Sequence, residues 1–236
     1  RVPYSIRIST RSRRVRLTLN PRDGLVMVSP PGVESEVLME LAASWRDWVA
    51  RQIDAMGIAD LDAPALRRVL PENILLPAIG EDWGVLYRYS PSRAARVMEK
   101  SPASLVMSGD FSDHAACVGA LRRWLMRRAQ RALPQWLAEV SDEIGIGFSS
   151  VSIRGQRSRW GSCSVNGDIS LNYQLLFLPR HLARHVLIHE LCHTVELNHS
   201  ARFWRTVGKY EPDLGQLRAE MRRSWSHVPG WLTVAG

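Results

Sequence analysis

Val186-Leu187-Ile188-His189-Glu190-Leu191-Cys192-His193 is the stretch on which the reading turns. Its apolar residues recur at helical spacing, and Pro179 stands where a helix can begin without losing a hydrogen bond. At about 100° per residue, His189 and His193 lie about 40° apart on such a helix and one turn apart in height. Both imidazoles therefore reach one ion. Glu190 projects beside that ion rather than onto it, the placement of a general base acting on metal-activated water.

His199 follows six residues after His193. On a continued helix it would sit about 240° further round, on the wrong side for the same ion. It joins the ligand set only if the helix ends first, and Asn198 is a residue that tolerates the left-handed conformation of helix ends. Three imidazoles and a water make a catalytic zinc site with an open position, and nickel or cobalt suit the same donors. His181 and His185 extend the row backwards, but the stripe drifts about 40° per step, so both are expected to be structural or exposed. His114 and His227 have no partner at ligand spacing. His227 is at most a transition-state donor that folds back to the site. Cys192 lies on the helix but faces away from the two histidines.

Working outward, Arg159-Trp160-Gly161-Ser162-Cys163-Ser164 leads into a turn at Asn166-Gly167 and a return strand Asp168–Asn172, a hairpin just ahead of the metal helix. A strand near Ser150–Arg154 precedes it. A helix is expected from Asp113 to Ile144, kinked or split at Pro134, with Arg122, Arg123, Arg127, Arg128 and Arg131 on a solvated face. Further upstream, a helix spans Glu34 to Met56, with Val37, Leu41, Trp45, Trp48, Val49 and Ile53 on one face. Residues 4–28 read as strands turned at Asp23-Gly24. Residues 57–111 read as an irregular meander with strand-like runs near Ile74–Ile79, Val85–Tyr89 and Ser104–Ser108.

The chain has 236 residues, 45% hydrophobic and 23% charged, which is ordinary for a globular protein and excludes a disordered tail. Its formal charge is +8, which at first suggests nucleic acid. Six arginines (Arg1, Arg7, Arg11, Arg13, Arg14, Arg16) and no acid fall in the first twenty residues. Setting those six aside leaves +2 for the rest. Lys100 and Lys209 are the only lysines, a bias that GC-rich coding explains without a phosphate ligand. Cys117, Cys163 and Cys192 match no disulfide framework and read as free thiols in a reducing cytoplasm. No apolar run approaches the ~20 residues of a membrane span. The absence of an initiating Met points to a trimmed chain, and the Arg-rich opening lacks a signal-peptide core.

The segments RSRWGSCSVNGDISLN, VLIHELCHTVELNHSARFW and RSRRVRLTL resemble the YgjP-like metal-dependent hydrolases, zincin-type metallopeptidase-like proteins related to the SprT-like group. The resemblance implies an α+β protein: an N-terminal β-rich part with a long helix over residues 1–111, and a zincin-like catalytic part over 112–236. It implies His189, His193 and His199 as metal ligands and Glu190 as catalytic acid/base. Metzincins place Gly three residues after the second His. Glu196 stands there, so the helix is expected to run about a turn further before bending.

Three functions compete on this reading. The first is a zinc peptidase acting on peptides or unfolded protein, with the hairpin offering an edge strand to its substrate. The second is a metal-dependent nucleoside-triphosphate pyrophosphatase, with Arg154, Arg157 and Arg159 holding phosphates. The third is a basic nucleic-acid-binding protein with a structural metal, although such sites usually have four protein ligands. Arg157, Arg159, Trp160, Ser162 and Asn172 are the candidate substrate-binding residues. Asn172, Glu211 and Asp213 are available to support the ligand histidines.

Overall fold

The computed structural model describes residues 4–20, 24–56, 69–92, 94–100 and 103–233. The expected turn at Asp23 and the whole stretch 57–68 lie outside them. Contacts divide the chain into two units, Arg1–Val69 with Val228–Ala235, and Leu70–His227 with Gly236. Among the described residues no helix is long and apolar enough to cross a membrane.

In the first unit, β1 (Tyr4–Ile8), β2 (Arg16–Asn20) and β3 (Gly24–Ser29) form a sheet of order β1-β3-β2, with β1 parallel and β2 antiparallel to β3. The central position of β3 follows from its unbroken apolar run. Leu25, Val26, Met27 and Val28 are all buried, which a strand covered on both faces requires. The single helix expected over 34–56 is instead two, α1 (Ser35–Ser44) and α2 (Arg46–Met56), separated at Trp45. Trp45 leaves helical geometry (φ −91°, ψ 4°), and this re-phases the buried stripe. Leu38 and Val49 are buried, while Val37 is exposed. The side chain of Ile53 lies outside the described residues. A short helix, Gly230–Thr233, belongs to this unit.

The second unit opens with a four-stranded sheet: β4 (Asn73–Leu76), β5 (Glu81–Tyr89), β6 (Arg96–Lys100) and β7 (Ser104–Gly109), in the order β4-β5-β7-β6. It is not a simple meander, because β5 and β7 pair in parallel. Strand β6 was not foreseen, and Pro77–Ile79 is a 3-10 turn rather than strand. Next comes α3 (His114–Ile144), 31 residues long, capped by Asp113, whose Oδ1 accepts the Ala116 amide at 2.9 Å, and closed by left-handed Gly145. It is not split at Pro134. Leu133, Trp136, Leu137 and Val140 continue its buried face across that position, and this packing outweighs the one lost hydrogen bond.

The arginines of α3 are not simply solvated. Arg128 pairs with Glu81, Arg131 reaches Glu99 at 3.3 Å, and Arg123 donates to the Ala95 carbonyl at 3.2 Å. Trp124 also donates to Glu99 and packs edge-on against Trp83. These bonds lash the sheet to α3, so the boundary read at 111/112 falls inside the second unit.

The remaining elements carry the site. Strands β8 (Ser150–Arg154), β9 (Gly161–Cys163) and β10 (Asp168–Asn172) form a sheet of order β8-β10-β9. β9 and β10 are the expected hairpin, antiparallel, with Gly167 at φ 78° in the turn. A buried 3-10 segment, Tyr173–Phe177, leads into α4 (Arg180–Cys192), followed by α5 (Ala201–Tyr210), α6 (Leu214–Met221) and a 3-10 turn, Ser224–His227. The whole is an α+β fold.

Candidate metal centre

Helix α4 ends sooner than expected. His193 is its C-cap, and the amides of Thr194, Val195 and Glu196 fold back on Leu191 and Cys192. The Thr194 hydroxyl takes the Leu191 carbonyl at 2.9 Å, a local bond that competes with continuation of the helix. The chain therefore turns five residues before Asn198. Ser200 then caps α5, accepting from the Phe203 amide at 3.3 Å. This early turn swings His199 back over the helix end.

The three imidazoles converge. The Nε2 atoms lie 3.1 Å apart for His189 and His193, 3.2 Å for His193 and His199, and 3.0 Å for His199 and His189. Zinc–nitrogen bonds of about 2.0–2.1 Å in tetrahedral array put nitrogens about 3.3 Å apart, so the triad needs little adjustment to hold an ion. Nδ1 of His193 lies 2.9 Å from the Glu196 carbonyl. A carbonyl only accepts, so Nδ1 carries the proton and Nε2 keeps its lone pair for a ligand. Burial pushes His189 down to about 3, with the neighbouring His193 and His199 charges adding to the effect, and it lowers His193 as well. Both rings are neutral near pH 7, the form that binds metal. Phe203, fully buried, stacks on His193 at 4.3 Å and meets His189 and His199 edge-on at 4.9 Å. One aromatic ring thus packs against all three imidazoles.

Glu190 is 5% exposed and lines the same cleft as His189. Burial pushes its carboxyl up to about 8, opposed by the charge of Arg159. Its Oε2 is buried without a hydrogen-bond partner. The carboxyl lies against the backbone of β9. A Cβ built on Gly161 would stand 2.7 Å from Glu190 Cγ and Oε1 and 2.8 Å from Cδ. Gly161 is therefore the floor on which the carboxyl rests, a role that spacing did not reveal.

The other candidates separate. Arg159 and Trp160 line the cleft, and Trp160 is held by a 2.8 Å bond from Nε1 to Ser224 and by stacking on Trp225 at 4.0 Å. Arg157 is exposed and outside the lining, and Ser162 sits within β9 opposite Ser170. Asn172 is fully buried and away from the cleft. Its Nδ2 donates to the carbonyls of Gln156 and Arg159 at 2.8 and 3.0 Å, which shapes the loop that presents Arg159. Arg154 reaches Ser170 on β10. His185 is buried beside Glu211, His181 pairs with Glu220 at 2.7 Å, and neither enters the triad. His227 faces His181 and Glu220 rather than the triad. Cys192 is buried, as expected. Trp204, Arg218, Met221 and Arg222 also line the cleft and were not anticipated, since they come from α5, α6 and the residue after it.

A cluster of three imidazoles beside a buried carboxyl is a metal-hydrolase arrangement, and comparison with known families places the chain in the same class: metal-dependent hydrolases of metallopeptidase type. The chain belongs to the YgjP-like family, whose metallopeptidase domain matches residues 13–224. Among solved structures, the metallopeptidase zymogen abylysin of Pyrococcus abyssi is 30% identical over 38% of this chain and 86% of its own, at TM-score 0.32. The metallopeptidase zymogen jannalysin of Methanocaldococcus jannaschii is 18% identical over 36% of this chain and 88% of its own, also at TM-score 0.32. No curated protein matches the sequence.

Proposed function

We propose that the protein is a zinc-dependent peptidase of the HExxH type, zincin-like in its catalytic part, which lies in the second unit. The observation that carries this reading is the convergence of three Nε2 atoms within 3.2 Å of one another, with the Glu190 carboxyl in the same cleft. His189, His193 and His199 hold the ion, and nickel or cobalt fits the same donors. When bound, such an ion supplies Lewis acidity, lowering the pKa of water towards ~7 and polarising a carbonyl.

Glu190 takes the proton of the attacking water at its unpartnered Oε2 and passes it to the departing amine. Its buried position suits both halves of that task. Desolvation favours the protonated form it must reach, and cationic groups at the site restore the carboxylate from which it starts. β9 is an edge strand of its sheet and offers backbone groups to an extended peptide. Membership in a metallopeptidase family suggests peptide substrates and lends no support to a nucleotide or nucleic-acid partner. Three free thiols fit a reducing compartment, and we assign the protein to the cytoplasm.

Metal analysis of the purified protein, followed by cleavage of an unfolded protein substrate with Glu190→Gln as blank, tests the reading. The expected result is about one zinc per chain in both proteins, with cleavage only in the parent. Full cleavage by Glu190→Gln, or a protein that retains no metal, refutes it.

A further inference from the structure

The cleft beside the metal triad has a wall that neither metal binding nor proton transfer uses. The cleft encloses about 410 Å³, and its lining includes Arg159, Arg218 and Arg222 together with Trp160, Trp204 and Met221. That volume falls within the roughly 300–1,000 Å³ of small-ligand sites. Arg218 is laid over Trp204, its guanidinium carbon 4.1 Å from the ring centroid, so its charge is held in place.

The acids that might neutralise this wall are engaged elsewhere. Glu220 takes His181 and Gln216, Glu211 takes Arg184 and His185, and Glu196 takes Arg202. Among the described residues, Arg159, Arg218 and Arg222 form no ion pair, and Glu190 is the one acid in the lining. Three guanidiniums between apolar walls make a positive cleft, where field lines focus and an anion gains most. A guanidinium fork matches a carboxylate with two parallel hydrogen bonds. The aromatic rings argue against a nucleobase. Trp204 already stacks on Arg218 and His199, and Trp160 on Trp225.

We propose that this arginine wall binds a carboxylate of the peptide next to the scissile bond, so that the site takes acidic peptides. The inference rests on the peptidase reading and adds a substrate class to it. The carboxylate comes either from an acidic side chain or from the peptide's own C-terminus.

The test is calorimetric titration of the full chain, zinc-loaded and carrying Glu190→Gln so that nothing is cut. The ligands are acetyl-Ala-Glu-Ala-amide, acetyl-Ala-Gln-Ala-amide, and acetyl-Ala-Gln-Ala with a free C-terminal carboxylate. At least one charged peptide should bind about tenfold tighter than the neutral one, and which one does so identifies the source. Adding Arg218→Gln and Arg222→Gln together should reduce that advantage to about twofold or less, with zinc content unchanged. If those variants lose zinc or melt early, the salt dependence of the Glu190→Gln protein decides. The advantage must shrink between about 50 and 300 mM salt. Equal affinity for charged and neutral peptides, an advantage that survives loss of both arginines, or one insensitive to salt overturns the proposal. A nucleoside triphosphate that outcompetes the charged peptide more than about tenfold overturns it too. The two readings fail separately. Cleavage of neutral peptides without acidic preference defeats the carboxylate wall and leaves the peptidase. Selective carboxylate binding with no cleavage by the parent protein defeats the peptidase and leaves the wall.

Discussion

Gly161→Ala should disable the protein without emptying its metal site. The new methyl would stand 2.7 Å from Glu190 Cγ and Oε1, whereas ordinary contacts begin near 3.4 Å, so something must retreat by about 0.7 Å. The retreat cannot be taken up by a carboxyl tip swinging free, because Cγ and Cδ are struck as well and Glu190 is only 5% exposed. Displacing a reacting group by a distance near 1 Å can cost about 100-fold in rate, or roughly 2.7 kcal/mol of transition-state stabilisation. Overpacking should lower stability by about 1–3 kcal/mol. The three atoms nearest the added methyl all belong to Glu190, so zinc content should match the parent. The assay is kcat/KM on an unfolded protein substrate, with zinc content and Tm measured on the same preparations. Activity within twofold of the parent would refute the reasoning, and so would activity that falls only in step with zinc.

Other expectations are independent of that one. His193→Ala or His199→Ala should abolish stoichiometric zinc, whereas His181→Ala should retain it, as metal analysis of each would show; zinc retained by both ligand variants would contradict the triad. Burial pushes the Cys163 and Cys192 thiols up to about 11. At pH 8 about one in a thousand of each is thiolate, so both should react slowly with a disulfide reagent until the protein is unfolded. Glu81 is pulled below its ordinary 4.5: burial alone would raise it, but hydrogen bonds from Arg128 and Trp83 and the Arg128 charge prevail. A depressed carboxyl contributes stability above its unfolded pKa and loses it as pH falls through the folded value. The Tm of Glu81→Gln should therefore fall less than the parent's between about pH 5 and 3. Asp113→Ala removes the cap of α3 and should cost about 1 kcal/mol in chemical denaturation.

Local chemistry was legible in the sequence, and long-range placement was not. The i, i+4 pair His189 and His193 needs only helical periodicity, and the Asn166-Gly167 hairpin needs only its turn residues. The end of α4 was misplaced because Thr194 and Glu196 look compatible with continued helix, whereas the outcome depends on side-chain and amide bonds back to Leu191 and Cys192. Trp45 divides α1 from α2 without any Gly or Pro to announce the break. β6 carries Arg96, Glu99 and Lys100, and its strand character comes from pairing with β7 rather than from its own pattern. Gly161, Arg218 and Arg222 have roles that exist only because α6 and β9 meet α4 in space, and no spacing rule encodes that meeting.

The early end of α4 has a thermodynamic consequence. On the proposed ligand set, two donors are preorganised on one helix, while the third rides on a loop whose far side is secured by the Ser200 cap, the Glu196–Arg202 pair at 2.6 Å and the Phe203 ring. Ion binding and the docking of α5 are then one linked equilibrium. Each tenfold excess of free ion over its dissociation constant adds about 1.4 kcal/mol to the docked form. Conversely, any strain that loosens α5 is felt as weaker ion affinity, even when no ligand is touched. On that reading the segment from Thr194 to Tyr210 would be a clasp that a bound ion closes, and resistance to proteolysis in that segment would report how full the site is.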